Sequence, residues 1–143
     1  MADFVRARCA FLFAALILAG CVPSAPPARA QVADTRTAII EQRKDALIDA
    51  LAACESGGHA DPNRGAYLGR FQFSTATVIN YVRDRDGRTI GAVEARAIAI
   101  DDVRAGRLAR WMIFERDGYT HWPACSRKLG LPAKVADIKA TAI

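Results

Sequence analysis

A single glutamate in this chain stands in a setting that suits acid–base chemistry. Glu55 follows Cys54 and precedes a serine and two glycines. Glycines let a bulky ligand approach the backbone closely, and a disulfide at Cys54 would fix the position of its neighbour. A carboxyl group in a partly apolar cleft has a raised pKa because burial disfavours its charged form. Such a group can hold a proton near neutral pH and deliver it to a leaving oxygen.

The alternative interpretation of Glu55 is a charged surface residue at a helix end. A glutamate at a helix C terminus opposes the helix dipole, which is mildly unfavourable. A local conflict of this kind favours a functional role over a bland one. We therefore take Glu55 as the candidate catalytic residue.

Two of the four cysteines remain to pair in a processed chain. One of the others lies within an N-terminal leader and Cys21 lies at its end. A disulfide between Cys54 and Cys125 is then the first interpretation in an oxidising compartment. A metal site would need more ligands than two distant cysteines, and the two histidines do not stand at ligand spacing. We expect no metal and no cofactor.

The first residues have the features of an export signal in the usual order. Arg6 and Arg8 supply a basic start, and an apolar run follows at residues 11–19. That run is too short to span a bilayer as a stop-transfer helix. The segment therefore predicts export rather than an N-terminal core helix.

Two cleavage sites are compatible with this leader. Residues 18–21 (Leu-Ala-Gly-Cys) resemble a bacterial lipobox, in which the cysteine becomes the lipidated first residue. We expect a lipoprotein-type signal peptide at residues 1–20, lipidation of Cys21 and hence a membrane anchor. A cut after Ala30, at a small-x-small site, is the alternative and would give simple secretion. We therefore expect an exported protein of the periplasm or cell envelope that is anchored as a lipoprotein, or a secreted protein if the later cut is used.

Composition divides the remaining chain into three parts. Residues 21–33 are rich in proline and alanine and predict an extended tether. Residues 34–132 have room for one modest domain, and residues 133–143 read as a weakly patterned tail. The chain carries a net charge of +5 at pH 7. This charge suits an acidic wall polymer or a membrane surface, and the absence of basic runs with interleaved aromatics argues against nucleic acid.

Helical periodicity places Glu55 at the end of the first predicted helix. From about residue 34 to residue 53 the apolar residues share one face. These residues are Ile40, Leu47, Leu51 and Cys54. Gly57 and Gly58 then stop the helix.

Three further elements are predicted after that helix. Residues 56–70 are loop-like, and a short hairpin is expected across residues 67–73. Ser74 is expected to cap a helix that buries Val78 and Val82. Residues 92–116 predict one or two more helices with a break near Gly106. Their predicted buried stripe comprises Val93, Ile100, Val103, Leu108, Trp111 and Phe114.

Three sequence blocks together resemble the catalytic domain of resuscitation-promoting factors, a transglycosylase-like branch of the lysozyme superfamily. They are residues 54–58 (Cys-Glu-Ser-Gly-Gly), 67–74 (Tyr-Leu-Gly-Arg-Phe-Gln-Phe-Ser) and 122–131 (Trp-Pro-Ala-Cys-Ser-Arg-Lys-Leu-Gly-Leu). The blocks occur in the family's order and the resemblance covers about residues 40–132. The last block is the most specific of the three.

The resemblance implies a fold and a set of site residues. The expected fold class is α+β, mostly helical, as a small lysozyme-like domain with a short hairpin and one disulfide. Glu55 is expected to be the catalytic acid, with a disulfide between Cys54 and Cys125. The residues that match substrate-contacting positions of the family are Tyr67, Gln72 and Thr77.

Three positions depart from the family pattern in or near the expected groove. Leu68 replaces the second of two tyrosines, Arg70 replaces a glycine and Val78 replaces a tryptophan. Because aromatic faces commonly stack on sugars, these changes predict altered subsites. Arg70 is a candidate partner for a muramyl carboxylate or a stem peptide.

The expected substrate is the peptidoglycan glycan strand, cleaved at its MurNAc-GlcNAc bond. Either water or the substrate's own 6-hydroxyl completes the reaction, which makes the enzyme a muramidase or a lytic transglycosylase. Asp61, Asp84 and Asp86 are possible second carboxylates, but none stands in a matching motif. The alternative functions are a catalytically weak or inactive peptidoglycan-binding envelope lipoprotein, and a disulfide-stapled envelope protein that contacts other proteins.

Overall fold

The computed structural model describes residues 28–57 and 65–141, which form a mostly helical domain. The predicted signal peptide and Cys21 lie outside these ranges, as do Asp61 and His59. The elements are α1 (Ala28–Ser56), α2 (Thr75–Asp86), α3 (Ala92–Ile100), α4 (Asp102–Arg116), a 3₁₀ turn (Gly118–His121), α5 (Pro123–Leu129) and α6 (Leu131–Thr141). The prediction of a small, mostly helical domain with one disulfide is confirmed.

Helix α1 begins earlier than the sequence pattern predicts. It starts at Ala28, so the predicted extended tether is wrong for residues 28–33. The last proline of the segment is Pro27, and alanine, arginine and glutamine after it all favour a helix. The rest of the predicted tether, residues 21–27, lies outside the described residues.

The predicted core face of α1 is confirmed. Ile40, Leu47 and Leu51 are buried, and Cys54 packs partly buried against the same core. The helix ends at Ser56, and Gly57 has a φ of 61°. Glycine adopts this left-handed conformation without the steric cost that a Cβ would add. Glu55 therefore lies in the last turn of α1, as predicted.

The expected hairpin is reduced to a single pair of residues, so the α+β part of the fold prediction is wrong for the described residues. Leu68 and Phe73 exchange two backbone hydrogen bonds of 2.9 Å in an isolated antiparallel bridge. Only four residues separate them, and Gly69 and Gln72 both have positive φ. Ser74 begins the cap of α2 directly afterwards, which leaves no extended residues to lengthen the ladder.

This short turn, residues 68–73, packs tightly on the end of α3. A Cβ built on Gly69 would lie 1.9 Å from the Ala99 carbonyl oxygen. Only glycine fits here, because any Cβ would force the α3 backbone to shift within a packed core. The contact fixes where Arg70, Phe71 and Gln72 sit.

Helices α2, α3 and α4 form the centre of the core. The Ser74 hydroxyl accepts a hydrogen bond from the Thr77 amide at 3.1 Å, so the predicted N-cap is confirmed. Val78 and Val82 are fully buried, as expected. Residues 92–116 divide into two helices at Asp101, whose carboxylate caps the amide of Arg104 at 2.8 Å.

The predicted buried stripe of residues 92–116 is correct only in its second half. Leu108 and Phe114 are buried, whereas Val93, Ile100 and Val103 are exposed. The non-helical backbone of Asp101 resets the helical phase, so the period cannot be carried across it. Small residues share the inner faces with larger ones such as Ile98 and Met112, and they allow close helix packing. The small residues are Ala95, Ala99, Ala105 and Ala109.

The predicted C-terminal tail belongs to the domain. Residues 133–141 lie in α6, whose Val135 and Ile138 are buried, and α6 packs on α1. The Arg36 guanidinium donates to the Thr141 carbonyl oxygen at 3.0 Å, and Arg43 forms an ion pair with Asp137. A tail of eleven residues has too few positions for its period to stand out in sequence. No helix within the described ranges is long and apolar enough to cross a membrane.

Candidate functional site

Glu55 is a half-buried carboxyl group without a compensating charge. It is the penultimate residue of α1, and the last turn of that helix contains no basic residue. Within residues 28–57 and 65–141 it has no ion-pair or hydrogen-bond partner. Burial raises its pKa above the ordinary value of 4.5, because desolvation disfavours the charged form. This is the environment expected of a general acid.

The disulfide fixes the backbone next to Glu55. Cys54 is bonded to Cys125 across 71 residues of sequence, with the two Cα atoms 5.9 Å apart. Cys125 is buried in α5. The bond therefore ties the C-terminal end of α1 to α5, and the predicted pairing is confirmed.

Trp122 joins α5 to the turn at residues 68–73. Its indole Nε1 donates to the Phe71 carbonyl oxygen at 2.7 Å, in a buried position. Its ring also packs on Phe73, with centroids 5.5 Å apart. Core packing, the more frequent role for a tryptophan in this setting, is therefore what Trp122 does. Helix α5 is therefore attached both to the end of α1 that carries Glu55, through the disulfide, and to the turn that carries Gln72, through Trp122.

Gln72 is a half-buried residue with a structural hydrogen bond. Its φ of 50° is in the left-handed region, which is uncommon for residues other than glycine. The side-chain Nε2 donates to the Gly69 carbonyl oxygen at 2.8 Å. The amide thus stabilises the tight turn, and its contact with substrate stays a prediction.

Thr77 and Tyr67 lie on either side of this turn in the chain. Thr77 is half-buried in the first turn of α2, with its Oγ1 2.8 Å from the Ser74 hydroxyl. Tyr67 is 60% exposed. An exposed tyrosine ring offers an open face for stacking on a sugar. Substrate contact by either residue stays a prediction.

Two of the three departures from the family pattern do not line any groove. Leu68 and Val78 are 1% and 0% exposed and belong to the hydrophobic core. The turn and α2 direct these two side chains inward, so they do not themselves contact a sugar. The expectation that the loss of aromatic residues alters the subsites stays a prediction.

Arg70, the third departure, has partners within the chain. Its guanidinium forms a 3.0 Å ion pair with Asp49 of α1 and lies over the Phe71 ring at 5.5 Å. The side chain of Asp49 is 70% exposed. Ion pairs this exposed contribute little to stability, so a ligand carboxylate could replace Asp49 at low cost.

The candidate second carboxylates that the structure describes are neutralised by arginines. Asp84 pairs with Arg116 at 2.7 Å. Asp86 accepts hydrogen bonds from Arg85 at 2.7 and 2.9 Å, and Arg88 lies 3.8 Å away. The Arg85 hydrogen bond is the main cause that lowers the pKa of Asp86. The surroundings of Asp86 keep it ionised, the opposite of those around Glu55.

A tyrosine–histidine pair escaped sequence reasoning. The Tyr81 hydroxyl lies 2.7 Å from His121 Nε2, and the two residues are 40 positions apart. Burial lowers the pKa of His121 and raises the pKa of Tyr81, to which the nearby Asp84 charge also contributes. His121 was considered only as a metal ligand. Its neighbour Trp122 was the one local signal that this segment is packed.

A cavity of about 550 Å³ opens beside this pair, between the C-terminal ends of α2 and α4. We call it the α2–α4 cavity. Its lining residues are Asn80, Tyr81, Asp84, Glu115, Arg116 and Asp117. In the part of the chain that the structure describes, no three histidine, cysteine or acidic residues are grouped to hold a metal ion.

Comparison with known proteins leaves the family open. No known protein family, no curated protein and no solved structure matches this chain.

Proposed function

We propose that the protein is an exported enzyme that cleaves the glycan strands of peptidoglycan, with Glu55 as its acid. The observation that carries this proposal is the state of Glu55. It is half-buried, has no partner within the described ranges and has a raised pKa, and a disulfide anchors the adjacent residue. The sequence blocks that resemble the lysozyme superfamily supply the substrate class, and a lysozyme-like fold is part of the proposal.

In this mechanism Glu55 donates its proton to the glycosidic oxygen between N-acetylmuramic acid and N-acetylglucosamine. The C1–O bond breaks, the electron pair leaves with the oxygen and positive charge develops at C1. The 6-hydroxyl of this N-acetylmuramic acid then attacks its own C1, while ionised Glu55 takes the hydroxyl proton. The product is a 1,6-anhydro end, and Glu55 regains its proton.

The surroundings of the two candidate second carboxylates that the structure describes favour this one-carboxylate route. Asp84 and Asp86 are both paired with arginines, and a paired carboxylate is a poor base for activating water. Hydrolysis by water remains the competing outcome. Tyr67 is proposed to stack on a sugar, and Gln72 and Thr77 are proposed to contact the strand.

The proposed setting is the cell envelope. A disulfide is maintained in oxidising compartments, and the chain contains one between Cys54 and Cys125. The lipobox-like segment at residues 18–21 would anchor the protein by lipidation of Cys21. Incorporation of a labelled fatty acid that disappears in Cys21→Ala is the expected result, and equal labelling of both proteins would contradict the anchor.

Digestion of purified peptidoglycan tests the enzymatic proposal. The protein is incubated with intact sacculi, and soluble fragments are identified by mass spectrometry. We expect fragments with 1,6-anhydro ends that are absent with Glu55→Gln and unchanged with Glu94→Gln, which makes the same chemical change on α3. Fragments with reducing ends would show that the enzyme is a muramidase and not a transglycosylase. Binding without release would indicate the inactive binding lipoprotein instead.

A further inference from the structure

The charges around the α2–α4 cavity leave one carboxylate unpaired. Asp84 is neutralised by Arg116, and Asp117 is neutralised by Lys139 at 3.0 Å. Glu115 is exposed and has no ion-pair or hydrogen-bond partner within the described ranges. The lining therefore carries one uncompensated negative charge in a protein whose net charge is +5. A ligand with a single positive charge would balance the charge of Glu115.

Two residues that line the cavity, Tyr81 and Arg116, both contact the Trp111 ring. The Arg116 guanidinium is held by Asp84 and lies over the Trp111 ring at 5.8 Å. Tyr81 packs edge-on against Trp111, and its hydroxyl is engaged by His121. These contacts restrict the two side chains before a ligand enters, which reduces the side-chain entropy lost on binding.

Asn80 adds a group that suits a peptide. Its side chain is exposed at the cavity and has no partner within the described ranges. An amide both donates and accepts hydrogen bonds, as a peptide backbone does. A cation recognised together with an amide is the chemistry of an amine-bearing peptide rather than of a bare metal ion.

From these contacts we infer that the α2–α4 cavity binds the side-chain amine of a peptidoglycan stem peptide through Glu115, with Asn80 on the peptide backbone. The inference rests on the proposed function, since it deepens the choice of substrate. It assigns a peptide subsite to a place that the sequence blocks of the resemblance do not include.

A series of contacts connects the α2–α4 cavity to the end of α1 that carries Glu55. Tyr81 follows Thr77 by one helical turn on the same face of α2. Its partner His121 precedes Cys125 by four residues, which limits their Cα separation to about 15 Å. Cys125 is bonded to Cys54, next to Glu55. An extended peptide of four residues spans about 14 Å, so the inference requires part of a strand bound at Glu55 to lie within that distance of Glu115.

Binding of synthetic muropeptides tests the inference without requiring turnover. Three probes are titrated calorimetrically into the Glu55→Gln protein: a disaccharide-peptide with a free side-chain amine, the same compound with that amine acetylated, and the bare disaccharide. We expect the free amine to improve the dissociation constant about five-fold over the acetylated probe, the scale of an exposed ion pair. Glu115→Gln should remove this difference.

Glu94→Gln is the matched control, because it makes the same change outside the cavity and should retain the five-fold preference. Equal affinity of the amine and acetylated probes for the protein with Glu115 intact, including no binding of either, would overturn the inference. A preference that persists in Glu115→Gln would also overturn it. The proposed function is judged separately, by Glu55-dependent release of fragments from sacculi.

Discussion

The C-terminal ends of α1 and α2 both contain a carboxylate, and they treat it in opposite ways. Glu55 is the penultimate residue of α1 and Asp86 is the last residue of α2. Arg85 of α2 and Arg88, which lies just beyond the helix, surround the carboxylate of Asp86, and its pKa is lowered. At the end of α1, Glu55 is half-buried and has no cation beside it among residues 28–57 and 65–141, and its pKa is raised.

This difference shows that the neighbours of a carboxylate, not its position on the helix, set the direction in which its pKa shifts. Both groups oppose the dipole of their own helix. At α2 the arginines outweigh that effect, whereas at α1 the loss of water adds to it. The paired carboxylate of Asp86 contributes to stability, whereas the half-buried carboxyl of Glu55 is suited to proton transfer.

Substituting the two carboxylates in turn should produce the largest contrast. Glu55→Gln is expected to lower the rate of release of peptidoglycan fragments by about 10²- to 10⁴-fold, the range of general acid catalysis. Asp86→Asn is expected to leave the rate within about two-fold, since an exposed ion pair contributes little. Fragment release is measured by chromatography of the soluble products. Comparable losses in the two variants would show that Glu55 has no special role.

The two helix ends also differ in what holds them. A covalent bond closes a loop of 71 residues at Cys54, so replacing both cysteines by serine should lower the unfolding free energy by about 4 kcal/mol. Asp86→Asn removes only an exposed ion pair and should cost less than about 1 kcal/mol. Urea unfolding measures both. Reduced wild-type protein should unfold like the double serine variant, and a wild type indifferent to reductant would contradict the disulfide.

Trp122 extends the rigid frame of α1 to the turn at residues 68–73. Trp122→Phe leaves the buried Phe71 carbonyl oxygen without its donor, which should cost about 1–3 kcal/mol of unfolding free energy. Trp111→Phe is the matched control, because Trp111 is only partly buried and its indole donates no hydrogen bond in the described structure. In thermal unfolding, the midpoint temperature of Trp122→Phe should lie clearly below that of Trp111→Phe.

The smallest expected effect is that the stabilities of Glu55→Gln and Asp86→Asn, relative to wild type, change in opposite directions as pH rises. A raised pKa means that folded protein binds the Glu55 proton more tightly than unfolded protein, so wild-type stability falls as pH rises above 4.5. Glu55→Gln should therefore gain stability relative to wild type from acid to neutral pH. The lowered pKa of Asp86 acts oppositely below its ordinary value of 3.8. Asp86→Asn should lose relative stability as pH rises through that range, as followed by urea unfolding. Parallel slopes would refute the comparison.

Local patterns predict the parts of the site that depend on one helix or one bond. The core face of α1, its end at Ser56 and the Ser74 cap follow from spacing and residue type. The disulfide follows from the number of cysteines left to pair. Each of these signals lies within a few residues, or concerns a residue type with few candidates.

The features that failed depend on packing between distant residues. Tyr81 and His121 meet across 40 positions, and the turn at residues 68–73 rests on Ala99 through Gly69. Alanines occupy part of the inner faces of α3 and α4, whereas the exposed Val93, Ile100 and Val103 were expected there. Hydrophobic size ranks residues by the area that they can bury, but closely approaching helices select small ones. That requirement becomes visible only once the helices are placed.

Helix α1 also sets distances along the molecule. Arg36 near its start holds Thr141 at the end of α6, and Glu55 lies 19 residues further along the same helix. At 1.5 Å per residue, the two places are separated by about 28 Å. A fluorophore or affinity tag attached at residue 141 would therefore stand well clear of Glu55. The same position offers a distance probe, since energy transfer to a label near Glu55 would report bending of the helix under load.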